Sequence, residues 1–180
     1  MGRMSRLRRA RYRARACQVL VMSPRHEALL LVEHLDTRSD FHGRLTGFID
    51  SMPRDEDAEE AVARIAFQQA GVRIERDNAV SEVAVLDMME LGGNRASTSD
   101  VPAITREHEM LVQMDDFQPS DAALADASLR AHWFALNNLP FDRMPTDDEI
   151  WYPRVLCGER LRGLFAFHGT KLVVKRVFAV

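Results

Sequence analysis

Acids are the side chains in this chain whose types and spacing suit chemistry. In the stretch REHEM, Glu107 and Glu109 flank His108, and a strand would turn both carboxylates to one face, where they can bind a cation. The same pair equally describes two solvated acids on an exposed strand, which is the commoner arrangement. Asp147 and Asp148 open TDDEIWYP, a pattern that fits a helix N-cap followed by a first-turn acid. Glu59 and Glu60 read as solvated acids near the start of a helix. The six histidines (His26, His34, His42, His108, His132, His168) are scattered and form no zinc-binding spacing. Cys17 and Cys157 sit in apolar neighbourhoods and read as buried free thiols in a reducing compartment, neither nucleophiles nor a disulfide framework.

Charge is divided along the chain. Residues 1–16 carry seven arginines (Arg3, Arg6, Arg8, Arg9, Arg11, Arg13, Arg15) and no acid, while the remainder holds 17 basic against 27 acidic residues. A basic arm of this kind attracts RNA or other phosphate backbones, and an Arg-rich, acid-free start also matches an organelle transit peptide. The transit peptide ranks first, which places the mitochondrion ahead of the cytoplasm as the expected location; a nucleic-acid arm ranks second and an inert solvated tail third. The chain uses 22 Arg against two Lys, a bias that weakens the arginines as a signal for RNA.

The elements that must position these residues follow from periodicity. One 180-residue chain with 46% apolar and 28% charged residues suits a single folded domain, and its apolar runs fall far short of the roughly 18 residues that cross a bilayer. CQVLVMS and ALLLVEH read as a hairpin turned at PRHE; TGFI is a short apolar segment; VRIE, AVSEVAVLDMME, ITREHEMLVQM and RAHWFAL read as strands, with turns or loops at LGGNR and ASTSDVPA. Ala58, Ala61, Val62, Ile65 and Ala66 recur at helical spacing behind an acidic first turn, and Gly71 ends that helix. DAALADASLR suits a short helix, and DDEIWYPRVLCGERL a helix interrupted or begun near Pro153. LRGLFAFHG and KLVVKRVFAV close the chain as a hairpin, giving an Arg-rich arm at 1–16 and an α+β domain at 17–180 with a mixed sheet and two principal helices.

From Trp133 to Gly169 the chain resembles the animal-type oxidised purine nucleoside triphosphate hydrolases, a branch of the Nudix family. The residues that carry the likeness are Trp133-Phe134, Leu139-Pro140-Phe141, Met144, Asp147-Asp148, Trp151, Pro153, Gly163, Phe165, Phe167 and Gly169. With the upstream order of strands, loop and helix, the resemblance covers roughly Cys17 to the C-terminus. It implies an α/β fold, the Nudix-type α/β/α sandwich around a mixed sheet, with a nucleotide held between the sheet and the C-terminal helix.

The family's Nudix box, G-x5-E-x7-R-E-U-x-E-E-x-G-U, fixes a register here on Glu56, Arg64 and Gly71-Val72. In that register the first Gly is Asp50, the Glu after Arg is Ile65, and the Glu pair is Gln68-Gln69. The three carboxylates that the resemblance implies for Mg²⁺ are absent, and what stays is an ion pair and a helix cap. Mg²⁺ demands hard, anionic oxygens; an amide offers one neutral carbonyl, Ile offers nothing, and neither Gln is a base near neutral pH. A further acid implied by the resemblance falls at Ser128, with Asp126 nearest to it. For the base pocket, the resemblance implies that Asp147 and Asp148 read a purine edge with at least one carboxyl protonated. It sets Pro145 where a stacking Trp belongs and Thr46 in place of an Asn on the sheet floor. Trp133, Phe134, Trp151, Phe165 and Phe167 read as core.

These residues point to a catalytically degenerate Nudix-fold protein, a structural or binding subunit of a larger assembly and of an organellar ribonucleoprotein reached through the arm. One alternative is an active nucleoside triphosphate pyrophosphohydrolase with relocated ligands, for which Asp50, Asp126 and Glu107 are the acids to inspect; another is a nucleotide sensor without turnover. No cofactor is expected under the first reading, and Mg²⁺ under the hydrolase alternative.

Overall fold

The computed structural model describes residues 11–75, 78–91 and 103–180. Among them, alternating apolar residues build nine strands: β1 (Arg11–Ser23), β2 (Ala28–His34), β3 (Leu45–Thr46), β4 (Phe48–Ser51), β5 (Ala79–Glu90), β6 (Ala103–Gln113), β7 (Leu129–Ala135), β8 (Leu161–His168) and β9 (Lys171–Ala179). Three α-helices interleave with them, α1 (Ala58–Ala70), α2 (Asp121–Asp126) and α3 (Asp148–Leu156). The strands run in the order β3-β2-β1-β6-β5-β8-β9, with β4 paired to β1 and β7 to β2. The sheet is mixed, because β1–β6 and β5–β8 are parallel while β1–β2, β5–β6 and β8–β9 are antiparallel.

β1 is the hinge of this arrangement. One of its edges pairs with β6 along its length; the other is shared between β4, against Ala16 to Val19, and β2, against Val21 to Ser23. Strand alternation then sends successive side chains to two cores. Cys17, Val19 and Val21 join Met110, Val112 and the apolar stripe of α1, whereas Leu20 and Leu111 join Trp151, Tyr152 and Val155 of α3. Helices therefore cover both sheet faces, and the α/β sandwich is the observed architecture. No helix among the described residues is long and apolar enough to cross a membrane.

Several expectations shift. β1 begins at Arg11, six residues before Cys17, because Arg11 to Ala16 continue the parallel ladder with β6. Arg15 is accordingly tied to the domain, its Nη1 donating to the Glu56 carbonyl at 3.0 Å and the Pro53 carbonyl at 3.3 Å. Arg3, Arg6, Arg8 and Arg9 lie outside the described residues, as do 92–102, which hold all of LGGNR but Leu91 and all of ASTSDVPA but Ala103. VRIE, at 72–75, forms no strand. α3 starts at Asp148 and carries Pro153 in its interior rather than starting or breaking there. Cys157 is exposed at the end of α3, whereas Cys17 is buried and its thiol is pushed up to about 12, chiefly by burial. Trp133 is 41% exposed instead of packed, since β7 hangs from β2 outside the main run of the sheet.

Candidate functional site

α1 is a well-terminated helix. The Asp57 side chain accepts from the Glu60 amide at 2.9 Å while the Glu60 carboxylate accepts from the Asp57 amide at 3.1 Å, a reciprocal capping box that gives Glu60 a structural task. At the other end Gly71 takes φ 71°, the left-handed conformation that only glycine adopts without strain. A Cβ there would also stand 2.9 Å from the Ser120 Cβ.

Between these caps Arg64 gathers the remaining acids. Its Nε and Nη2 donate to Glu56 Oε1 and Oε2 at 2.7 and 2.9 Å, a bidentate pair, and its Nη1 reaches Asp50 Oδ2 at 2.7 Å. Further bonds run to the Ser51 carbonyl at 2.8 Å and to Gln68 Oε1 at 3.3 Å. Glu56, foremost, and then Asp50 hold the guanidinium pKa above its ordinary value. Ile65 is fully buried in the core beneath α1, and Gln69 donates to the Ile49 carbonyl at 3.0 Å. These residues do not fit Mg²⁺: the two carboxylates near the box are committed to Arg64, one box position faces the core, and the other two offer amides. No group of three or more His, Cys, Asp or Glu among the described residues is arranged to hold a metal ion.

An open groove of about 460 Å³ runs beside α1, lined by Arg15, His34, Asp50, Gln69, Thr105 and Glu107 among others. Asp50 and Glu107 thus reach the same groove. Asp126 is exposed at the end of α2, and Ala127 and Leu129 line the groove there. Ser128 turns the chain after α2 with φ 56°. Thr46 is buried; its hydroxyl donates to the Gly47 carbonyl at 2.6 Å and lies 2.7 Å from His34 Nε2, and burial lowers the His34 pKa so that its ring stays neutral. Gly47 must be glycine, because a Cβ would come within 2.7 Å of the Val19 carbonyl on β1.

Behind the groove four acids come together between β6 and α3. Glu107 and Glu109 project from β6 toward α3, and Asp147 and Asp148 face them from the helix start. Because α3 packs over that face of β6, Glu109 is buried and Glu107 half-buried, so the reading of two solvated acids on an exposed strand is wrong. Glu109 is fully buried, and Gln18 of β1 donates to its Oε2 at 2.9 Å. Burial and then repulsion from Asp147 push Glu107 up to about 8. Glu109 is raised well above the usual carboxyl range by burial and by Glu107, and Asp148 by burial and its acidic neighbours. Asp147 occupies the N-cap position of α3 without making a side-chain cap bond; its Oδ2 accepts from Trp151 Nε1 at 3.3 Å instead. Pro145 is half-buried nearby, its carbonyl accepting from the Asp148 amide at 3.1 Å. Sequence reasoning missed Gln18 and Tyr152, whose buried hydroxyl sits in the field of Asp148 and Glu109. One signal was available: Glu109 immediately precedes the apolar run Met110-Leu111-Val112, the mark of a covered strand.

No protein-family model matches the chain. Over 133 residues it is 23% identical to the oxidized purine nucleoside triphosphate hydrolase of Danio rerio, covering 74% of this chain and 76% of that protein. The MutT protein of Bacillus halodurans superposes with a TM-score of 0.71 at 16% identity, over 92% of this chain and 97% of that one. A MutT structure from work on Aliivibrio salmonicida and Vibrio cholerae superposes with a TM-score of 0.55 at 14% identity, over 81% and 97%. The class is therefore that of the Nudix fold, a mixed sheet between helices. Within that class, the sequence similarity supports the Nudix family.

Proposed function

We propose that this Nudix hydrolase-like chain binds its ligand without hydrolysing it, as a structural or binding subunit. The observation that carries the reading is the Arg64 clamp: Asp50 and Glu56 are both engaged by one guanidinium, while Ile65, Gln68 and Gln69 supply no anion. Metal-assisted attack on a diphosphate needs both charge neutralisation and a base for water, and α1 offers neither at these positions. Burial raises the pKa of Asp147 and holds that of Asp148 well above the usual carboxyl range, and both keep hydrogen-bonding oxygens at the start of α3, which supports binding that outlasts turnover. The basic residues preceding β1 supply a salt-sensitive contact to RNA in an organellar assembly. The test is pyrophosphate release from unmodified and oxidised purine nucleoside triphosphates with Mg²⁺ or Mn²⁺. The expected result is none above background, and turnover at rates near 1 s⁻¹ or higher, about the low end of ordinary enzymes, overturns the reading.

A second reading, an active pyrophosphohydrolase with relocated ligands, draws on the opening of Glu107 and Asp50 into one groove. Under it, Glu107→Gln abolishes metal-dependent release; release that survives the substitution removes Glu107 as the relocated ligand.

A further inference from the structure

One end of the sheet is a strand with a free edge. β9 stands last in the strand order and pairs with β8 along one side; among the described residues nothing pairs with the other. Seven of its nine residues are exposed. They include Val173 at 45% and Phe178 at 56%, apolar side chains that an edge strand usually hides. From Val174 to Ala179 the ladder with β8 is regular, and the one irregularity falls at Val173, next to the turn. A straight run of backbone N–H and C=O groups therefore faces outward, beside uncovered apolar side chains.

Charge decides what suits this edge. From Arg160 to Val180 the chain carries Arg160, Arg162, Lys171, Lys175 and Arg176 and no Asp or Glu, although acids outnumber bases 27 to 24 in the whole sequence. Both lysines of the chain are on β9. Other surface cations meet acids: Arg106 meets Asp87, Arg143 meets Glu33 and Arg154 meets Glu159. Among the described residues, none of the five cations between 160 and 180 pairs with a carboxylate. Lys175 lies opposite Phe165 and Arg176 opposite Leu164, so positive charge flanks both faces of the edge. Asp87, two strands in from Arg176, is held by Tyr12 and Arg106.

We infer that β9 receives an extended acidic segment of a partner protein as one more strand of the sheet. Backbone bonds form along the free edge, carboxylates answer Lys171, Lys175 and Arg176, and Val174 and Phe178 are covered. A second copy of this chain fits poorly, because two β9 strands set Lys171, Lys175 and Arg176 against their own kind with no acid between them; edge lysines serve to prevent such pairing. A phosphate backbone answers the charge but has no ladder to offer the edge, and Phe178 is the single aromatic on β9 for a base to stack on. The surface lies four strands from β1, where the groove opens, so the inference goes beyond the reading of the groove and does not depend on whether nucleotide is turned over there.

The experiment is NMR of the full chain, labelled with ¹⁵N, titrated with a nine-residue peptide of alternating Glu and Val, a match to the length of β9. Saturable shifts and slowed hydrogen exchange at β9 amides are the expected result. The same peptide N-methylated at alternate residues keeps its charge but loses ladder donors, and binds at least tenfold more weakly; a Lys-Val peptide does not bind. Lys175→Glu with Arg176→Glu changes exposed side chains, leaves thermal unfolding unchanged and weakens the Glu-Val peptide at least tenfold. Arg25→Glu with Arg54→Glu makes the same change of charge in turns away from β9 and leaves binding unaltered. Absent binding, equal binding of the methylated peptide, or shifts that avoid β9 overturns the inference. Dimers in sedimentation with protected β9 amides overturn it in favour of a second copy, and β9 shifts with oligouridylate but not with the peptide overturn it in favour of RNA. The Arg64 reading is tested separately, by pyrophosphate release.

Discussion

Arg64 makes five polar contacts from one position on α1, and its value lies in how well Glu56 is enclosed. Their side chains are 25% and 13% exposed, enough cover for a bidentate pair to count, whereas Asp50 at 41% lies where water screens the interaction. Arg64→Ala leaves Glu56 with a desolvated, unpaired charge and is expected to cost about 2–3 kcal/mol in urea unfolding. Arg64→Lys is expected to recover only part of the loss, since an ammonium cannot reproduce the fork. The buried acids behave oppositely. Glu107 is raised in the folded state from 4.5 to about 8, so the native protein binds a proton that the unfolded chain has already released across that window. Its contribution is fully present below about pH 4.5, is lost as pH rises toward 8, and is flat above. Glu107→Gln is therefore expected to leave stability at pH 4.5 nearly unchanged and to raise it at pH 8. If one unit of the shift is expressed, the gain is about 1.4 kcal/mol, read as a higher urea midpoint. A lower midpoint at pH 8 would show that Glu107 is ionised and paired.

At the scale of the element, α1 carries Arg64, Ile65, Gln68 and Gln69 between two capped ends. Its ends are held by local bonds, so each can be tested alone. Asp57→Ala removes the N-cap and is expected to cost about 1 kcal/mol. Gly71→Ala forces a left-handed alanine and a contact with Ser120, for a cost of about 1–2 kcal/mol. Both are measured by denaturant midpoint. Placing acids at Ile65, Gln68 and Gln69 is not symmetrical among the three positions. Gln68 is exposed and Gln69 half-buried, so both accept Glu at little cost. Ile65 packs in the core shared by α1 and the sheet. Ile65→Glu is therefore expected to destabilise the protein by about 3 kcal/mol or more, because it buries an unpaired carboxylate and removes apolar packing. Gain of Mg²⁺ affinity is expected from Gln68→Glu with Gln69→Glu before it is expected from the triple substitution.

Across the whole molecule, the acidic domain and the basic N-terminus meet in β1. Residues 11–16 are sheet, paired with β6 and, at Ala16, with β4. Deleting 1–16 is thus expected to remove ladder bonds and the Arg15 tie to Glu56, lowering the melting temperature or preventing folding. Deleting 1–10 leaves every described element in place and is expected to preserve it, while reducing RNA affinity at low salt if those arginines contact phosphate. Equal thermal stability of the two truncated proteins would show that the first six residues of β1 contribute nothing.

What the sequence determined by itself is local. Alternation and helical spacing gave AVSEVAVLDMME and the α1 stripe, and seven intervening residues put Glu56 in reach of Arg64. Gly71 marked the helix end because the left-handed cap depends on one residue's own backbone. What the tertiary structure decided is which of these faces is covered. Glu107 and Glu109 share a strand face in any sheet; Glu109 is buried and Glu107 half-buried because that face of β6 lies under α3. Trp133 has the composition of core and lies exposed because β7 pairs outside the main run, and Arg15 belongs to the domain because β6 extends far enough to pair with it. A spacing fixes direction relative to the chain, but burial is set by neighbours that arrive from distant sequence, and with it the direction in which the pKa of each of these acids moves.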